Sequence, residues 1–151
     1  MDDVVLVAGA VLFVAWWRQR EDAVTGVDVE GFLMADPRWW RSDTAARMGI
    51  DNTPPPAIQT NLVLLERACN AVFGKDGYDV TSGYRSPVVN LALAQSNDAV
   101  SLTSLHLRGR AADLYVHGMT VEEAGALARS SGRFVEVIEY RDGHLHVAIG
   151  A

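Results

Sequence analysis

The sequence predicts one α+β domain, a small antiparallel sheet with flanking helices, preceded by an apolar helical extension. Three observations carry that prediction. The chain has 151 residues, 49% apolar and 21% charged, enough for one hydrophobic core but not two, and near the globular average. Stretches with apolar residues every three or four positions alternate with short runs rich in β-branched and aromatic residues. The last two of those runs flank an Asp-Gly turn, which reads as a hairpin and makes its strands antiparallel. Neither internal repeats nor low-complexity tracts interrupt the pattern. The expected division is a hydrophobic N-terminal helix over residues 1–22 and a domain over 23–151.

Within the extension, Val4 to Trp17 is an unbroken apolar or small run, with Asp2-Asp3 before it and Arg18-Gln19-Arg20-Glu21 after it. Fourteen helical residues reach roughly 21 Å, short of a hydrocarbon core of about 30 Å. A secretory signal carries positive charge before its apolar stretch and small residues at its cleavage site. Here the charge order is reversed, and Trp16-Trp17 occupies the place of the cleavage site. If the segment inserted in a bilayer, the positive-inside rule would leave the C-terminal domain in the cytoplasm. A helix apolar all round needs cover on most sides. The cover is a membrane, a groove in another protein subunit, or the chain's own domain.

From Ala23 to Asp43 the pattern is irregular, broken at Asp36-Pro37, with Trp39-Trp40 pinning the segment to a surface. Thr44 to Met48 reads as a short helical turn. Pro54-Pro55-Pro56 makes the following loop rigid, because successive prolines fix φ and donate no hydrogen bond. Ala57 to Phe73 is an amphipathic helix with Ile58, Leu62, Leu65, Cys69 and Val72 on one stripe. Cys69, the single cysteine, reads there as a packed small hydrophobe. Tyr78 to Ser82 is a strand, Pro87 to Gln95 a helix and Ser96 to Ser104 a polar loop. Ala111 to Val116 is a strand, and Thr120 caps a helix running to Ser130 with Glu122 and Glu123 in its first turn. Phe134 to Tyr140 and His144 to Ile149 form the hairpin around Arg141-Asp142-Gly143.

Composition narrows the function. A formal charge of −6 argues against a nucleic-acid partner gripped through its phosphates. One cysteine excludes an internal disulfide and a multi-cysteine metal site. Any metal must be held by His, Asp or Glu. His106, in the loop Ser104 to Gly109, Asp113 seven residues on, and His146 on the last strand supply two imidazoles and a carboxylate. With a fourth position left to water, that is the ligand set of a catalytic zinc site. His117, beside Gly118, reads as an exposed loop histidine, and Asn90 as a helix-surface residue.

Three segments carry a resemblance. Ser82-Gly83-Tyr84-Arg85-Ser86-Pro87, then Ser104-x-His106-x-x-Gly109-x-Ala111-Ala112-Asp113, then His144-Leu145-His146-Val147 resemble the zinc D-Ala-D-Ala carboxypeptidase and endolysin family, in its phage-type branch. The lead-in Ala46 to Pro55 is similar to that branch too, so the likeness runs from about Phe32 to Ile149. The resemblance implies Zn²⁺ held by His106, Asp113 and His146. It implies that Arg85 holds the substrate carboxylate or carbonyl oxygen, while Gly83 and Pro87 shape the turn.

The chain departs from the family at two places. Leu105 stands where relatives often carry a polar residue. Gly143 stands three positions before the last ligand, where many members place the acid that takes the proton from water. The remaining candidates for that role are Glu139, Asp142 and Glu136, in that order, since alternation alone does not settle which faces inward. His144 shares a strand face with His146 and is a candidate to assist proton transfer or to stabilise the transition state. The function this implies is a zinc peptidase cutting peptidoglycan stem peptides or crosslinks. The phage-type lead-in implies a phage-encoded component of the virion or tail, joined to other subunits through Val4 to Trp17. The alternatives are a structural virion protein that keeps the fold with little activity, or a membrane-tethered endolysin or hydrolase at the host envelope.

Overall fold

The computed structural model describes residues 34–97 and 100–151. The Val4 to Trp17 run and the boundary expected at residue 22 lie outside those residues. Four strands, β1 (Tyr78–Ser82), β2 (Ala111–Val116), β3 (Glu136–Glu139) and β4 (Leu145–Ala148), pair antiparallel in the order β1-β2-β4-β3. Thus β2 and β4 are central, and β1 and β3 are the edges. Among the described residues four helices accompany them: α1 (Asp43–Met48), α2 (Pro56–Phe73), α3 (Pro87–Ser96) and α4 (Val121–Ser130).

The register sorts the side chains into two faces. Asp113 pairs with His146 and Leu114 with Leu145, while Ile138 pairs with His146 from the other side. Alternation then sends Ala112, Leu114, Leu145 and Val147 to one face. There they form the core with Leu62, Leu65 and Cys69 of α2 and Ala124 and Ala128 of α4. The other face carries Asp113, His146, Glu136 and Ile138. A one-residue bulge in β1 re-aims its end, because Val80 pairs with Leu114 but Ser82 pairs with Asp113. Ser82 is thereby brought beside the aspartate.

Local chemistry fixes the helices where the sequence places them. Ser42 and Ser86 cap α1 and α3 by accepting from Ala45 N and Val89 N. Thr120 and Glu123 close a reciprocal capping box on α4. Asp36 accepts from Arg38 N and starts a 3₁₀ turn at Pro37–Trp39. That turn drops Trp39 into the core, where it is fully buried and meets Tyr78 edge-on at 6.1 Å. Trp39 is thus a core residue, a deeper role than pinning a surface. Burial pushes the Cys69 thiol far above its usual range, in keeping with a packed hydrophobe. Among the described residues no helix is long and apolar enough to cross a membrane.

Asn52 in the proline-rich lead-in is the clamp that joins this frame to the site. Its amide donates to Trp40 O at 2.6 Å and Tyr84 O at 3.0 Å, and its oxygen accepts from Ser86 N at 2.8 Å. The turn Gly83 to Pro87 is therefore held from outside as well as by its own sequence.

Candidate metal centre

Three elements bring three ligands together. Ser104 accepts from His106 N and starts the 3₁₀ turn Leu105–Arg108, which buries His106. Asp113 and His146 are direct cross-strand partners on β2 and β4. One ligand atom from each of the three lies within 4.8 Å of the others. Asp113 Oδ1 stands 2.8 Å from His146 Nδ1 and 3.5 Å from His106 Nε2. They line a cleft of about 610 Å³ together with Ser101, Thr103, Ser104, Ile138, Tyr140 and His144.

The donor set fits a divalent metal because each ligand's remaining polar atom is already committed. His106 Nδ1 lies 2.7 Å from the carbonyl of Gly83. A carbonyl only accepts, so the proton sits on Nδ1 and the Nε2 lone pair faces the cluster. Asp113 Oδ2 accepts from Arg85 Nη2 at 3.0 Å, leaving Oδ1 for the cluster. Burial would raise the Asp113 carboxyl, but the adjoining imidazoles of His106 and His146 outweigh it and hold it far below the usual range. Burial is also the main influence on His106, and it keeps that imidazole neutral to lower pH. An ionised carboxylate and a neutral imidazole are the forms that bind metal.

The sequence model of the Peptidase M15 family matches residues 39–148. The chain belongs to that family. M15 peptidases are zinc-dependent, and the His106-Asp113-His146 cluster is the group of described residues suited to the ion. Among curated proteins none matches the chain.

Around this M15 centre the structure rearranges the supporting cast. Glu139, first among the expected proton acceptors, faces away from the His106-Asp113-His146 cluster. Its Cα partner is Leu145, on the core face, and its carboxylate pairs with Arg129 of α4. Glu136 is brought to the cluster instead, its Oε1 2.8 Å from His146 Nε2. Asp142 lies in the turn and reaches the site through His144, whose Nδ1 is 2.5 Å from Asp142 Oδ1. His144 stacks on Tyr140 at 4.3 Å and lines the cleft with His146. Arg85 also lines the cleft, but it is braced by Asp113 and Ser82, partners the sequence did not suggest.

Two further corrections concern residues outside the cluster. Asn90 is not on the helix surface. It is 1% exposed and donates to Ser101 O at 3.0 Å, tying α3 to the cleft wall. Gly83 does more than shape a turn. A Cβ there would sit 2.0 Å from the carbonyl oxygen of Trp39, while its own carbonyl orients His106. Gly83→Ala is expected to destabilise the fold by about 2–3 kcal/mol through overpacking and to weaken zinc binding together with it. Urea unfolding and zinc titration check this, and unchanged values in both would remove Gly83 from the site. His117 is exposed as expected and bonds to Asp79, away from the centre.

Proposed function

We propose that this M15 zinc peptidase cuts peptide bonds in the stem peptides or crosslinks of peptidoglycan. The observation that carries the reading is the convergence of His106, Asp113 and His146 in a cleft of about 610 Å³. Zinc, when bound, polarises the scissile carbonyl and acidifies a water. The protein's own groups do the rest. Gly83 and Arg85 hold two of the ligands, and Tyr140 and His144 form one wall against which the substrate lies. With Gly143 at the usual position of the acid, His144 takes the proton. Asp142 fixes the imidazole by accepting from Nδ1, which leaves Nε2 bare to accept a proton from water and return it to the leaving amine.

Zinc-loaded and chelated protein, each incubated with purified peptidoglycan, test this by mass spectrometry of released peptides. Cleavage only with zinc is the expected result. A protein that holds zinc and releases nothing would overturn the peptidase reading in favour of an assembly role.

We also propose that the chain is phage-encoded and carried on the particle through Val4 to Trp17. The support is the reversed charge order around that run and its shortness for a bilayer. Deleting residues 1–20 separates the outcomes. A domain that stays soluble but no longer joins particles supports the reading, and one released from membranes overturns it.

A further inference from the structure

We infer that Glu136 is the positioning residue that selects which nitrogen His146 presents to the metal. The inference rests on the zinc reading above. His146 has Nδ1 on the cluster side, 2.8 Å from Asp113 Oδ1, and Nε2 on the opposite side, 2.8 Å from Glu136 Oε1. A neutral imidazole carries one proton, and its bare nitrogen is the one that can ligate. If that proton sat on Nδ1, the lone pair would point at Glu136 and away from His106 and Asp113. A carboxylate at Nε2 holds the proton there and leaves Nδ1 free for the ion. It also makes the ring a stronger donor to the metal, the usual worth of an outer carboxylate on a ligating histidine.

The fold explains why this residue does it. Ile138 is the direct partner of His146, and Glu136 is two positions along the same face. That diagonal is within reach of a long side chain. The two histidines are therefore set in complementary ways: His106 offers Nε2 because a backbone carbonyl takes Nδ1–H, and His146 offers Nδ1 because a carboxylate takes Nε2–H. The first brace is buried and uncharged. The second stands at the cleft, with the Glu136 side chain 48% exposed.

The test is zinc affinity of the full chain by competition with a chromophoric chelator, on wild type, Glu136→Ala and Glu136→Gln. Turnover at saturating zinc and the melting temperature of the metal-free forms are measured beside it. Glu136→Ala is expected to bind zinc about 10–100-fold more weakly, the typical cost of losing an outer-shell partner. Glu136→Gln keeps an accepting oxygen and should fall between it and wild type. Metal-free melting temperatures should be alike. Wild-type affinity in Glu136→Ala overturns the inference alone. So does a large loss of turnover at saturating zinc with affinity unchanged, which would make Glu136 a proton-transfer group. A wild type that takes up no zinc overturns the metal reading itself.

Discussion

Asp113→Ala is expected to hold no zinc, to cleave nothing, and to lose about 3 kcal/mol of stability. The carboxylate sits at the junction of everything the centre needs. Oδ1 joins the two histidines, and Oδ2 neutralises Arg85 at 3.0 Å. Both side chains of that pair are largely shielded, at 14% and 13% exposure, so removing the acid leaves a guanidinium with no counter-charge in a poorly hydrated place. Breaking a pair of that kind costs about 3–5 kcal/mol when fully buried, and residual exposure favours the lower end. Asp113→Asn keeps the shape and an accepting oxygen, so it should lose zinc with a smaller loss of stability. Elemental analysis and denaturant unfolding on the two variants read both effects. One zinc per chain in Asp113→Ala would remove this residue from the ligand set.

His144→Ala is expected to keep the metal and slow turnover by about 10²–10⁴-fold, the usual contribution of a placed acid–base group. Asp142→Asn should give a smaller loss, because His144 keeps its stack on Tyr140 while losing its charged anchor. Glu139→Gln should turn over like wild type, since its carboxylate faces Arg129. Steady-state rates at saturating zinc decide among the three. A His144→Ala enzyme as fast as wild type would leave the dyad a structural prop.

The reason Glu139 misleads a reader of the sequence is a turn length. Arg141-Asp142-Gly143 forms a three-residue turn, with Gly143 at φ 91 and Tyr140 N donating to His144 O. Ile138 then lies opposite His146, and even-numbered residues of β3 share its face. A two-residue turn would slip the register by one and send Val137 and Glu139 to that face instead. Alternation was legible; its phase was not. Helices, strands and the Thr120 cap were legible because stripe, β-run and cap residue are local signals. The grouping of His106, Asp113 and His146 was legible because motif spacing names them without a register. Arg85 on Asp113 and Asn90 on Ser101 join residues 28 and 11 positions apart, and no local pattern announces such bonds.

The edge position of β3 also bears on how copies of the domain meet. Its four residues, Glu136 to Glu139, begin and end in an acid. A length of four residues and a charged side chain at each end both blunt this edge against another strand. The strand that steadies His146 thus also disfavours edge-to-edge aggregation between copies of the domain.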